Sequence, residues 1–491
     1  MIQQSLHTLD ELKLFIANKV THFSIPIDER EVVCEYVLRV MPCKRIVMKG
    51  QWQSKPAVAK LFFSHFAKRH VDREAAGARA LRQAGIFVPK VLYEGPTQIE
   101  GVWVVIFEWI DAIIDLDAVW QGHDEAALKK ILQPLQLIFA KQHQAGIYHV
   151  DLHPNNFVIA ANGVYIVDVA DAKRAWVFRK ALSRRKSIAN LVLLYAQLPI
   201  RHHAIIADLF KQYCELRQWP FDQRLQNKMQ IYLFRARRQR MQNMIKRCSR
   251  NCKGIVAHHD FHARWAYREA DNSESLQAFL KNPDAYLMQG SIVKGGHTCT
   301  VAKIKLKEQS VIVKRYNIKN VWHGLTKGLF ISRAARSWQN ANVLDLLGIP
   351  TAKPIAYYEK RWLGFFRREA YFLCAYQSGE LLLSYFRSSS ESLGKVLVAK
   401  RWIEILKCFA EARIAHRDLK ATNFILSVGQ QPIVIDLDAM RFYAKKNAFL
   451  AAYNGDLNRW MQNWKFGTFE YELFVHLIND LMKERGFDRG C

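Results

Sequence analysis

One stretch of this chain occurs twice, and it limits the fold more than any other feature. The first copy reads His149-Val150-Asp151-Leu152-His153-Pro154-Asn155-Asn156-Phe157, followed by Ile166-Val167-Asp168-Val169. The second reads His416-Arg417-Asp418-Leu419-Lys420-Ala421-Thr422-Asn423-Phe424, followed by Val434-Ile435-Asp436-Leu437. In each copy an Asn stands five positions after an Asp, and a second Asp closes a short apolar strand. A single spacing of this kind is found on ordinary surface loops. Two copies with the same sequel do not arise readily by chance.

Phosphoryl transfer is the chemistry that needs this spacing. An acceptor hydroxyl requires a carboxylate to orient it and take its proton, and ATP requires Mg²⁺ held by hard oxygen ligands. An Asp and an Asn on one turn face a common site, and a β-hairpin returns the second Asp to the same metal. This is the catalytic-loop and metal-loop arrangement of the protein-kinase-like fold. The expected fold class is therefore α+β: two tandem protein-kinase-like bilobal domains, each a small antiparallel sheet lobe plus a mainly helical lobe. Domain 1 is placed at 1–250, a connector at 251–284 and domain 2 at 285–491.

The 491 residues allow two to three domains with ample core, and 50% hydrophobic residues with 12% aromatic describe a folded chain. A net charge of +28 implies an anionic partner: nucleic acid, a phosphorylated lipid or an anionic membrane surface. No apolar run reaches the ~18 to 20 residues of a membrane span; the longest, from Ile188 to Ile200, contains Gln197 and Pro199 and reads as a buried helix. The start, Met1-Ile2-Gln3-Gln4, carries no secretory pattern. Nine scattered cysteines, Cys491 among them, fit a reducing cytoplasm. Cys248 and Cys252 precede His258, His259 and His262, but the gap between the two groups is too short for a ββα zinc finger, so free thiols and surface histidines are the default.

Along the chain, residues 1–30 read as a helix and a turn broken by Pro26. Strands follow at Val32–Val40 and Arg45–Lys49, and the turn between them contains no glycine to cradle phosphates. Lys60 lies on the next strand, either as an ordinary edge lysine or as a phosphate-pairing one. The helix after it favours the second reading, because it ends at Gly85 and presents Glu74 toward Lys60. Val102–Glu108 suits a buried strand, and Glu125–Gly146 a helix that delivers the first loop. Past Asp168, the residues Lys173, Arg174, Arg179, Lys180, Arg184, Arg185 and Lys186 form either a solvated helix face or one wall of a groove for an anionic substrate. A second basic run, Arg235 to Arg250, follows a helical stretch over 200–240.

The second unit repeats the plan. Gly295 and Gly296 lie in a strand–turn–strand suited to covering phosphates, although such pairs also make simple hairpins. Lys314 is the strand lysine, and the helix Arg333–Leu347 stops at Gly348. Glu74 is eleven residues before Gly85; eleven before Gly348 stands Ser337, so this copy lacks the lysine-pairing Glu. Ala370–Tyr376 is the buried strand, and Lys395–Ala412 the helix before the second loop.

Both halves resemble the lipopolysaccharide kinase family, kinase-like enzymes that phosphorylate heptose or Kdo sugars of the lipopolysaccharide core. The second half does so through Val313-Lys314-Arg315-Tyr316-Asn317-Ile318-Lys319-Asn320, Ser332-Arg333-Ala334-Ala335-Arg336-Ser337-Trp338 and Leu347-Gly348-Ile349-Pro350-Thr351. In the first half the likeness rests on Lys60, Arg73-Glu74, Gly85-Ile86, the Asp151 loop and Asp168. The resemblance implies Asp151 and Asp418 as catalytic bases. It implies Asn156 with Asp168, and Asn423 with Asp436, as Mg²⁺ ligands. Lys60 and Lys314 would pair ATP phosphates, Glu74 would orient Lys60, and Gly295 with Gly296 would cover the phosphates. The implied partners are the lipopolysaccharide core or lipid A precursor and the anionic inner-membrane surface, reached by a cytoplasmic, peripheral protein; a charge of +28 favours such a surface. No nucleic acid is expected, since charge alone does not specify one.

Two rival readings stand beside this one. A Ser, Thr or Tyr protein kinase needs an Ala-Pro-Glu-like anchor after the metal loop, and none follows Asp168 or Asp436. A pseudokinase scaffold would bind nucleotide without turnover.

Overall fold

The computed structural model describes residues 4–18, 22–41, 43–122, 124–174, 181–296, 298–307, 309–317, 331–362, 366–388 and 391–486. Arg179, Lys180, Ile318-Lys319-Asn320 and Cys491 lie outside them. The chain divides into two compact units, Met1–Leu198 with Ala204–Leu233, and Pro199–His203 with Phe234–Cys491. Each combines a sheet, antiparallel but for one short parallel pair in the first unit, with helices, so the fold is α+β.

In the first unit the elements run β1 (Gln4–Ser5), α1 (Leu9–Ala17), β2 (Phe23–Ile27), β3 (Arg30–Met41), β4 (Arg45–Trp52), β5 (Lys55–Phe62), α2 (Ala67–Gln83), β6 (Val91–Pro96), β7 (Trp103–Glu108), α3 (Leu116–Gln121) and α4 (Glu125–Gln144). Then come β8 (Ile147–His149), β9 (Phe157–Ala160), β10 (Gly163–Ile166), β11 (Ala172–Arg174), α5 (Arg184–Tyr195), α6 (His203–Leu216) and α7 (Gln223–Arg247), whose residues from Phe234 onward belong to the second unit. The sheet order is β1-β2-β3-β4-β5-β7-β6. Period-2 alternation on β5 sends Ala57, Ala59 and Leu61 into the core shared with Leu12 of α1, and leaves Val58 and Lys60 on the opposite face. The buried residues of α2, Val71, Glu74, Ala75, Ala78 and Leu81, follow helical spacing. Gly85, at φ +70°, ends that helix.

Residues 1–30 hold more than the helix and turn expected. Pro26 lies inside β2, opposite Glu31 of β3 and past the short parallel pairing of Phe23 and Ser24 with β1, where no ladder N–H is demanded of it.

In the second unit the elements run β12 (Ile255–His259), β13 (Ala263–Arg268), α8 (Glu274–Lys281), α9 (Pro283–Gln289), β14 (Ser291–Lys294), β15 (Cys299–Leu306), β16 (Gln309–Tyr316), α10 (Arg333–Leu346), β17 (Pro354–Trp362) and β18 (Phe366–Ala375). They continue β19 (Gly379–Leu381), α11 (Leu382–Ser388), α12 (Ser392–Ala412), β20 (Ile414–Ala415), β21 (Phe424–Ser427), β22 (Pro432–Val434), β23 (Arg441–Phe442), α13 (Lys446–Met461) and α14 (Phe469–Glu484). The sheet order is β12-β13-β17-β18-β16-β15-β14. Its last five strands repeat the order β6-β7-β5-β4-β3 of the first sheet, while the two added strands lie on opposite edges of that common set.

Residues 251–284, read from sequence as a connector, hold strands and helices and fall within the second unit. Strands β12 and β13 extend the second sheet, with Ala266 opposite Tyr357. Helix α8, capped by Ser273, buries Leu276, Phe279 and Leu280 against Val311, Val313 and Leu373. The division between units also falls earlier than residue 250. Met241 and Cys248 of the second unit pack in one core with Trp338, whose indole N–H donates to Cys248 O at 2.9 Å.

Candidate active site

In the first unit, Lys60 and Glu74 meet across the sheet–helix junction. Lys60 Nζ donates to Glu74 Oε2 at 2.8 Å, and Arg45 Nη1 lies 3.5 Å from Glu74 Oε1. Both Lys60 and Glu74 are buried. Lys60 Nζ also lies 3.5 Å from Val167 O, the residue before Asp168. What brings α2 so near is Gly77, one turn past Glu74: a Cβ there would sit 2.1 Å from Val169 O.

The loop that carries Asp151 is built from its own backbone. A single 3-10 turn, Pro154–Asn156, sets Asp151 and Asn156 on one bend. Asn156 Nδ2 donates to Asp151 O at 3.0 Å, which leaves Asn156 Oδ1 as the oxygen available to a cation. Val167 N donates to Asn156 O at 2.9 Å and draws the strand end at Asp168 to the loop. Beneath it, Asn190 of α5 donates to His149 O at 2.5 Å, and Gln197 to Leu152 O at 2.9 Å. Burial holds the His149 imidazole at a pKa of about 4, against the attraction of Asp168 and Asp171, so it is neutral at pH 7.

The second unit repeats several of these contacts at equivalent positions. Asn423 Nδ2 donates to Asp418 O at 2.8 Å, and Ile435 N to Asn423 O at 3.0 Å. The loop rests on Asp456 of α13, which accepts from the main-chain N–H of His416 at 2.6 Å. Burial raises the Asp456 carboxyl to about 6, partly offset by the N–H groups of His416, Arg417 and Leu419. Asp456 and Asn190 escaped the sequence reading; each is one polar residue inside an otherwise ordinary helix, with no spacing to mark it.

The lysine is where the units differ. Ser337 is buried on α10, and its hydroxyl lies 3.0 Å from Tyr316 Oη rather than on Lys314. Lys314 Nζ instead donates to Asp436 Oδ1 at 2.5 Å. Burial raises the Asp436 carboxyl, but the neighbouring Lys314 outweighs it and the net shift is downward. Three residues after Ser337, where α2 has Gly77, α10 has Asn340, whose amide donates to Leu437 O at 2.7 Å. Leu437 follows Asp436 as Val169 follows Asp168, so a bare glycine in one unit and an asparagine in the other meet the equivalent carbonyl. Asp418 lies between Lys420 (2.9 Å) and Arg459 (3.7 Å). Gly295 and Gly296 fall between β14 and β15; a Cβ at Gly295 would meet nothing within 4 Å, so the backbone there does not demand glycine.

Residues 36–200 match the Lipopolysaccharide kinase (Kdo/WaaP) family model. The match begins within β3, ends just beyond α5, and contains Lys60, Glu74, Asp151, Asn156 and Asp168. The resemblance to this lipopolysaccharide kinase family holds over that stretch, and residues 201–491 lie outside it. No curated protein matches the chain significantly.

Elsewhere, among the described residues no group of three His, Cys, Asp or Glu side chains could hold a metal. Cys248 is buried, which pushes its thiol up to about 12, and His258 pairs with Asp260 at 2.7 Å. Among the described residues no helix is long and apolar enough to cross a membrane.

Proposed function

We propose that the chain transfers the γ-phosphate of ATP to a sugar hydroxyl of the lipopolysaccharide inner core, and that it consists of two kinase-like domains in tandem. The observation that carries the first part is the buried Lys60–Glu74 pair at the end of the Asp168 strand, inside the stretch matched by the lipopolysaccharide kinase family. Lys60, held by Glu74, pairs the ATP phosphates. Asp151 orients the acceptor hydroxyl and takes its proton. Asn156 Oδ1 and the Asp168 carboxylate, both hard oxygen donors, hold Mg²⁺, which neutralises charge on the phosphates when bound. Lys173, Arg174 and the exposed start of α5 offer cations to a polyanionic acceptor, and the overall charge favours an anionic membrane surface.

The tandem reading is supported by the shared five-strand order and by matching hydrogen bonds. Trp109 N to Pro56 O and Tyr376 N to Ser310 O each sit four residues before the strand lysine, and Glu108 N to Lys90 O is matched by Ala375 N to Lys353 O. In the second unit Asp418, Asn423, Asp436, Lys314 and the Gly295–Gly296 turn take the corresponding roles. A second reading of that unit, nucleotide binding without turnover, is favoured by the contact of Lys314 with Asp436 and by Ser337 in place of Glu.

Transfer of label from ATP to purified lipid A–core acceptor, by wild type, Asp151→Ala and Asp418→Ala, tests the proposal. Loss in one variant assigns the working domain, and partial loss in both with different product positions means two. No transfer by wild type contradicts the proposal.

A further inference from the structure

The sheet faces that carry Lys60 and Lys314 each hold a second lysine, and the two occupy equivalent positions. Lys49 on β4 stands opposite Val58, two residues from Lys60. Lys303 on β15 stands opposite Ile312, two residues from Lys314. On the other side, Val58 pairs with Phe107 and Ile312 with Cys374. Two residues beyond each comes an aromatic ring, Trp109 in one unit and Tyr376 in the other. Each lysine reaches across the intervening strand to that ring: Lys49 Nζ lies 4.2 Å from the Trp109 centroid, and Lys303 Nζ 3.7 Å from that of Tyr376.

The pair recurs where other features do not. The buried glutamate and the glycine turn are each found in one unit only, yet the lysine–aromatic pair is in both. Its recurrence is poorly explained by stability, since a half-exposed cation over a ring contributes little. Among the described residues neither ammonium is ion-paired with a carboxylate, so either can leave its ring at small cost. Two residues of strand place the pair roughly 7 Å from the phosphate-pairing lysine, the span of a ribose between a phosphate and its base.

We propose that in each unit this pair gates the base end of the nucleotide site. Without ligand the ammonium covers the ring. A planar base displaces it and stacks on Trp109 or Tyr376 in its place. The proposal rests on the nucleotide-binding reading above and adds to it that lysine and base compete for one aromatic face. A ligand with phosphates but no base leaves the gate shut.

Calorimetric titration of the full chain with Mg²⁺ and either ATP or inorganic tripolyphosphate separates the two. Lys314→Ala isolates the first site and Lys60→Ala the second; if either background unfolds, a two-site fit to the otherwise wild-type chain reads the same constants. Adding Lys49→Met or Lys303→Met tightens ATP by about 2- to 30-fold, the equilibrium value of the displaced contact, and leaves tripolyphosphate unchanged. Trp109→Leu weakens ATP alone. Weaker or unchanged ATP binding in Lys49→Met overturns the gate, as does equal tightening of tripolyphosphate. A folded wild type that binds neither ligand overturns the nucleotide reading itself, and the gate with it.

Discussion

Replacing Gly77 by Ala sets two effects of opposite sign against each other. In a helix interior Ala is favoured over Gly by about 1 kcal/mol, so propensity alone predicts a more stable protein. At this position the new Cβ meets Val169 O at 2.1 Å and Val169 C at 2.9 Å, both backbone atoms that no rotamer change can move. Restoring an ordinary contact of 3.4 Å requires α2 to retreat by roughly 1.3 Å. Overpacking of that kind costs about 1–3 kcal/mol, and backbone on both sides places it in the upper part of the range. The net loss of about 1–2 kcal/mol lowers the melting temperature of the first unit by about 2–8 °C. The same retreat stretches the 2.8 Å bond between Lys60 and Glu74 beyond hydrogen-bonding range. A charged hydrogen bond of about 1.5–3 kcal/mol is then lost to nucleotide positioning, and ATP binds about 10- to 100-fold more weakly. Differential scanning calorimetry and ATP titration read both. A higher melting temperature with unchanged ATP affinity would refute the reasoning.

Four further outcomes follow from the same geometry. Asn340→Ala removes the buried amide's bonds to the Leu437 and Met440 carbonyls, leaves Leu437 O with Met440 N–H alone, and destabilises the second unit by about 1–2 kcal/mol in denaturant melts. Glu74→Gln lowers phosphate transfer by at least about tenfold, with Lys60 left beside Arg45 and no carboxylate to hold it. His149 binds its proton less readily folded than unfolded, so its contribution to stability is complete above about pH 6.5 and lost as the pH falls through about 4; melts of His149→Gln lack that slope. Asp456 has the opposite sign: its folded pKa of about 6 exceeds the ordinary 3.8, so its contribution is present below about pH 4 and lost as the pH rises to 6. The difference in stability between wild type and Asp456→Asn falls over that window; a constant difference contradicts the assignment.

What could be read from sequence was local. The loop repeats specify their own turns, because Asn156 and Asn423 bond carbonyls only five residues away. Gly85 and Gly348 mark helix ends by the left-handed backbone they adopt, at φ +70° and +68°. Counting back from them places Glu74 against Lys60 and shows Ser337 in the second copy. Contacts between distant segments left no such mark. Nothing in Ile255–His259 announces a strand that joins a partner which itself pairs with β17. Gly77 and Asn340 read as unremarkable helix residues until the carbonyls they meet are in place. Lys49 and Trp109 are sixty residues apart in sequence and meet only because β4, β5 and β7 are neighbours.

The most direct test of two nucleotide sites of common design is the stoichiometry of Mg·ATP binding to the intact chain. Two sites per chain are predicted, one removed by Lys60→Ala and the other by Lys314→Ala. A single site, removed by one substitution and untouched by the other, would contradict the tandem account and leave one unit without a nucleotide role.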